Sequence, residues 1–168
     1  MTTHNLRLAA VFAVCAVVAI TAVAQTPEQF KVQTAGTAKY GGLPVFPSCA
    51  AFAVERGDPN TGPSLLLAKV STGCVVPWHW HTAREELMLV SGTGKIEMKD
   101  QAPHTLPKGS FVLLPGKEAH QFSCQSQCLF FVNIADTFDI HYVDPSGNEI
   151  PAAQAIQAVK EKPGVASQ

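Results

Sequence analysis

His79, His81 and Glu85 lie within one short apolar run, and His120 follows further along the chain. Successive side chains of an extended strand point to opposite faces, so His79 and His81 would aim both imidazoles at one point while Trp80 faces away. Glu85 comes four residues after His81, beyond a tight turn over residues 82–84 and at the start of a second strand over 86–90. A carboxylate there can swing back to the same centre. Neutral imidazole suits zinc, copper, iron and nickel, and a carboxylate adds a hard oxygen that manganese and iron accept. With His120 as a fourth ligand, three nitrogens and one oxygen would leave two positions open on a six-coordinate ion. The competing reading makes His79 and His81 surface residues of an exposed strand. Val75, Val76, Trp78, Leu87, Leu89 and Val90 around them argue against full exposure.

The order and spacing of these residues carry a resemblance. Gly73, five residues, His79-Trp80-His81, three residues, Glu85, six residues and Gly92 match each signature position of the first motif of the cupin superfamily. The second cupin motif runs Gly, five residues, Pro-x-Gly, two residues, His, three residues, Asn. Gly109, Pro115 and His120 fall in its register. Lys117 stands where that motif has its second glycine, with Gly116 one place early, and Cys124 stands where it has asparagine. The displaced glycine is expected to alter the turn before His120. The asparagine is not a metal ligand in cupins, so its loss bears little on the site.

The resemblance implies an all-β fold, the double-stranded β-helix or jelly-roll cupin barrel, here with a short C-terminal helix. It also implies a divalent metal ion, iron, manganese, zinc or nickel, held by His79, His81, Glu85 and His120. It is specific for fold and metal site, not for reaction, because cupins include dioxygenases, oxalate decarboxylases and oxidases, and sugar isomerases. Cupins are often dimers, so a homodimer is open, and no residue in this sequence decides it.

The elements that must position these residues are short strands cut by Gly and Pro, which by themselves suggest a sandwich or barrel. Strands are expected at residues 49–55 and 64–71 around a turn at 57–63, then at 75–81 and 86–90. Residues 91–94 read as a hairpin turn into 95–99, a strand expected to pair with 86–90. Residues 100–107 read as a polar loop and 111–114 as a buried strand. Residues 120–124 and 128–134 read as a hairpin, 138–143 as a last strand, and 151–162 as a surface helix with Pro151 near its first turn. The expected organisation is a leader at 1–24, a lead-in segment at 25–48, the cupin domain at 49–145, and a C-terminal helix and tail at 146–168. There is no internal repeat and no second domain.

The leader has the form of a secretory signal peptide: Arg7, an uncharged apolar run over 8–23, and the small-x-small sequence Ala22-Val23-Ala24 before Gln25. The run is short for a retained membrane span. A secreted or periplasmic protein of 144 residues, with no stable membrane anchor after cleavage, is the expectation. Removing Arg7 from the 12 basic residues leaves 11 against 13 acidic ones. With no basic run, nucleic acid and anionic membrane are poor partners, which leaves a small-molecule ligand or substrate. Cys49, Cys74, Cys124 and Cys128 remain in the exported chain. Cys124 and Cys128 flank a three-residue loop, and Cys49 and Cys74 lie nearly symmetrically about the 57–63 turn. Opposed residues of an antiparallel pair come within disulfide range. Cys49–Cys74 and Cys124–Cys128 are therefore the expected bridges of an oxidising compartment.

Other titratable residues carry less. His104, in a polar loop, reads as a surface residue, and His141 as core, pocket or surface. Glu86 should point away from Glu85, and Trp80 and Gln121 away from the metal. Glu97 is a weak candidate acid/base if alternation turns it inward; an exposed salt-bridge partner is the commoner case. Leu87, Leu89, Phe111, Phe122 and Phe130 are pocket wall or plain core. Arg84 is the one arginine near the motif, where oxalate chemistry would want a cation beside the metal. Apolar walls and few charges favour a dioxygenase-like oxidoreductase acting on a small oxygen-containing organic molecule. The alternative is a non-catalytic binding or sensing module with a structural metal.

Overall fold

The computed structural model describes residues 29–160, and the expected leader and the last eight residues lie outside them. Chain contacts divide the molecule into Met1–Val32 and Gln33–Gln168. Of the first unit, residues 29–32 are described and form no helix or strand.

The second unit begins with β1 (Ala50–Gly57), β2 (Ser64–Val70), β3 (Val75–Trp80) and β4 (Glu85–Ser91). It continues with β5 (Gly94–Met98), β6 (His104–Leu106), β7 (Phe111–Leu114) and β8 (His120–Cys124). β9 (Cys128–Ile134), β10 (His141–Tyr142) and α1 (Ala152–Lys160) complete it. The strands form two five-stranded antiparallel sheets, ordered β1-β2-β9-β4-β7 and β10-β3-β8-β5-β6. Their inner faces share one core. Along β9 every second residue is buried (Cys128, Phe130, Val132, Ile134), the two-residue period of a sheet with one dry face. Phe130 meets Phe122 of the facing sheet with ring centroids 4.9 Å apart. Burying such a ring stabilises the fold by roughly 2–3 kcal/mol. This is the expected jelly roll. No helix among the described residues is long and apolar enough to cross a membrane.

Several local expectations are corrected by this topology. Residues 91–94 are not a hairpin turn between paired strands: β4 lies in the first sheet beside β7 and β9, and β5 in the second beside β6 and β8. Residues 120–134 are likewise no hairpin, since β8 and β9 belong to different sheets. In both places the chain crosses between layers, as a jelly roll requires. Gly92 makes the first crossing possible. Its φ is +88°, and a Cβ there would meet the Gln127 carbonyl oxygen at 2.2 Å.

The supposed polar loop at 100–107 contains β6, which pairs with β5. β7 is an edge strand with one wet face, so Phe111 and Leu113 are 61% and 50% exposed while Leu114 is buried. The last strand is only two residues long.

Cys49 lies at disulfide distance from Cys74, and Cys124 from Cys128, with Cα separations of 5.8 and 6.0 Å. The pairs are those expected, but the hairpin argument was not the reason. Ser71, not Cys74, stands opposite Cys49, donating its N–H to the Cys49 carbonyl at 3.0 Å. Cys74 precedes β3, so each pair connects one sheet to the other.

Candidate metal centre

β3 is not a regular strand. Its pairing with β8 shifts register between Val76 and His79, where Pro77 lacks an N–H to give to a ladder. The irregularity lets Val76 and His79, three residues apart, both face the interior. His79 then stands directly opposite His120 of β8. His81 lies just past the end of β3, and the chain turns through residues 82–84 into β4. There Glu85, Leu87 and Leu89 share the inner face by simple alternation. His79, His81, Glu85 and His120 are all between 3 and 5% exposed.

The three rings form one cluster. Candidate ligand nitrogens of His79, His81 and His120 lie within 4.8 Å of one another. Ring centroids are 4.3 Å apart for His79 and His120 and 4.8 Å for His79 and His81. Glu85 joins them through Oε2, 3.4 Å from Nε2 of His81. The structure therefore brings the four expected residues together, with the tight group being the three histidines.

Each ring is held by its other nitrogen. Nδ1 of His79 donates to the Pro77 carbonyl at 2.6 Å, and Nδ1 of His120 to the Glu118 carbonyl at 2.9 Å. Nδ1 of His81 donates to the carbonyl of Asp139. A carbonyl can only accept, so each ring carries its proton on Nδ1 and presents a bare Nε2. Burial drives all three imidazoles toward the neutral form, His79 well below the usual range and His81 to about 4. Burial, with the Asp139 charge adding to it, pushes Glu85 up to about 8. Below about pH 8 Glu85 therefore holds a proton that it can offer to the bare Nε2 of His81 across 3.4 Å, and a cation can take that proton's place. Three neutral imidazole nitrogens and one carboxylate are a donor set that fits a divalent transition metal.

The cluster lines an apolar cavity. Its walls include Leu66, Leu87, Phe122, Phe130 and Val132 from the sheets, with Phe52 and Phe138. Leu43 and Phe46 come from the lead-in segment. Phe46 packs on Phe52 and Phe138, centroids 4.6 and 5.9 Å away. The Tyr142 hydroxyl, donating to the Val45 carbonyl at 2.7 Å, pins this segment in place. Among the described residues, no lysine or arginine lines the cavity.

Other candidates fall elsewhere. Glu97 is not brought to this cavity. It lies opposite Gln121 on the outer face of β5 and pairs with Lys95 at 2.6 Å. Arg84 pairs with Glu86 at 3.3 Å, and Glu86 accepts from Asn133. His104 is exposed on β6, and Phe111 faces solvent. Leu89 is core. His141 stacks flat on Trp80, centroids 3.9 Å apart, outside the cavity. Sequence reasoning missed Asp139, Tyr142 and the Leu43–Phe46 wall; no spacing rule links such distant residues to the motif.

The turn before His120 explains the glycine displaced in the second motif. Lys117 adopts φ +66°, so the backbone keeps the left-handed conformation that a glycine there would supply without strain. Its N–H donates to the His81 carbonyl at 2.7 Å. Gly116 has a separate reason: a Cβ there would meet the Thr82 carbonyl oxygen at 2.4 Å.

Comparison with known proteins agrees with this geometry. The cupin domain profile matches residues 66–133. No curated protein matches the sequence. Among solved structures, the polyketide cyclase RemF of Streptomyces resistomycificus superposes with TM-score 0.59 at 18% identity, over 69% of this chain and 87% of its own. An acetylacetone dioxygenase of Acinetobacter johnsonii gives 0.57 at 17% identity, over 81% and 93%. An RmlC-like cupin of Ralstonia eutropha gives 0.58 at 16%, over 79% and 85%. At these identities the likeness is one of fold. Both cupin motifs, the two-sheet barrel and the matched profile lead to one statement: residues 66–133 of this chain are a cupin domain.

Proposed function

We propose that the protein is an exported, metal-dependent oxidoreductase of dioxygenase type, with His79, His81, Glu85 and His120 holding a divalent ion. Its substrate is a small, uncharged, largely apolar molecule bearing oxygen donors. The observation that carries this reading is the convergence of three bare Nε2 atoms and a buried carboxyl group in the lining of an apolar cavity. When bound, the ion supplies a Lewis-acid or redox centre with positions free for oxygen donors.

The chain's own residues do the rest. Phe46, Phe52 and Phe138 exclude water and hold an apolar body. The Nδ1–H bonds fix the rings, so they need no reorganisation when a ligand arrives. A dicarboxylate such as oxalate is disfavoured, because the described lining residues offer no cation to balance it. Among the described lining residues, Glu85 is the one carboxylate able to accept or hold a proton.

That scarcity favours a second reading. With Glu97 on the outer face, no further carboxylic acid among the described residues lines the cavity, which suits a binding or sensing module whose metal only holds a ligand.

Elemental analysis of the protein purified from its own compartment identifies the metal. Turnover is then measured with iron or manganese on catechols, flavonols, thiols, oxalate and acetylacetone, the last being the compound named for one fold neighbour. His79→Ala should lose metal and turnover together. Metal binding without turnover on any substrate supports the second reading, and a protein that takes up no divalent metal refutes both.

A further inference from the structure

Two of the three rings are fixed by their own strands, since His79 and His120 each bond the carbonyl two residues before them. His81 differs. Its Nδ1–H reaches a carbonyl 58 residues away in sequence, that of Asp139. The orientation of His81 therefore depends on tertiary placement of the segment before β10, and that segment has its own clamp. The Asp139 carboxylate accepts the Thr82 N–H through Oδ1 at 2.7 Å, tying it to the residue after His81. Its Oδ2 lies 3.3 Å from Nε2 of His141. The His141 ring is stacked on Trp80, the residue before His81, at 3.9 Å and 5°. Nδ1 of His141 meets Glu149 at 3.2 Å. The residues on both sides of His81 are thus tied to Asp139, Thr82 directly and Trp80 through His141.

Resting on the metal-centre reading above, we infer that Asp139 and His141 are positioning residues for His81. They act together as an external clamp that sets its ring orientation and tautomer, and so the affinity and symmetry of the bound ion. Neither touches the cavity. Partners of a ligand's second nitrogen commonly change metal affinity about 10–100-fold when removed.

The test compares Asp139→Ala, Asp139→Asn and His141→Phe with wild type, using Glu149→Gln as control. His141→Phe keeps a flat ring to stack on Trp80 and removes the contacts to Asp139 and Glu149, the second of which the control isolates. Asp139→Asn keeps an oxygen for Thr82. Two readouts are taken: cobalt affinity with its visible absorption spectrum, and ring-nitrogen NMR of the histidines in metal-free protein. Asp139→Ala should bind cobalt about 10–100-fold more weakly with an altered spectrum. Asp139→Asn should recover most of that loss, and His141→Phe should lie between. In metal-free protein His81 should change from a single Nδ1–H tautomer to a mixture, while His79 and His120 stay unchanged. Should Asp139→Ala not fold, His141→Phe and Asp139→Asn carry the test. Cobalt affinities within twofold of wild type together with an unchanged His81 tautomer would overturn the clamp. Wild-type protein that binds no cobalt refutes the metal-centre reading instead, and the tautomer measurement still decides the clamp.

Discussion

Removing the metal should leave a protein whose stability peaks near pH 6.5 and falls on the alkaline side because of one carboxylate. Folded Glu85 titrates at about 8 against an ordinary 4.5, since burial and then the Asp139 charge oppose its ionisation. Between those values the folded chain holds a proton the unfolded chain has released, so this contribution is full below 4.5 and is lost as pH rises to 8. The buried histidines act in the opposite direction. His79, His81 and His120 stay neutral when folded but take up protons below 6.5 when unfolded. Below that pH three imidazoles outweigh one carboxylate, and stability rises with pH. Above pH 7 the carboxylate dominates. One proton is worth about 1.4 kcal/mol per pH unit, so the metal-free protein should lose about 2 kcal/mol relative to its Glu85→Gln variant between pH 6.5 and 8. Urea unfolding of chelator-treated protein, disulfides intact, measures this directly. Glu85→Gln should abolish the alkaline decline, and bound metal should abolish it too by holding the carboxylate charged. Equal pH profiles for wild type and Glu85→Gln would refute the reasoning.

Phe46→Ala should cost about 2–3 kcal/mol, because the half-buried ring packs on Phe52 and Phe138. It should also let a bulkier chelator such as hydroxyquinoline bind the metal-loaded protein more tightly, as read by titration; unchanged affinity would count against the cavity as the ligand site. Lys117→Gly should gain about 0.5 kcal/mol, since relief of a left-handed lysine exceeds the added freedom of the unfolded chain. The melting temperature should rise by about 1–3 °C, and a fall would show that the lysine side chain itself matters. Replacing Cys49 and Cys74 by alanine opens a bridge of sequence separation 25 and should cost about 3–4 kcal/mol by loop entropy. Calorimetry of that variant beside the parent measures it, and an unchanged melting point would mean the thiols are not joined in the purified protein.

The candidate cluster was legible because most of it is written in short spacings. His79 and His81 share a side by strand alternation, and Glu85 shares a face with Leu87 and Leu89 for the same reason. Strand positions were legible from apolar runs between Gly and Pro. Which strands pair was not: β4 with β5 and β8 with β9 are neighbours in sequence but lie in opposite sheets. A short turn signal does not distinguish a hairpin from a crossing between layers. Glu97 illustrates the cost of that ambiguity, since its facing direction followed only once β5 was paired with β8. Asp139 was invisible because it meets His81 through a backbone carbonyl, which every residue has. The irregularity at Pro77 had a visible cause, the proline itself, but its effect on which residues face inward appears only in the paired strands.

The outward-facing partners of the bulged strand give this protein a built-in reporter. Its two tryptophans, Trp78 and Trp80, bracket His79, and neither lies in the core. All indole emission therefore originates beside the cluster, from rings whose backbone is shared with it. A paramagnetic ion entering the barrel should quench that light, and a colourless one should shift it through the strand. Occupancy can then be followed in unlabelled protein, in real time, before any substrate is known.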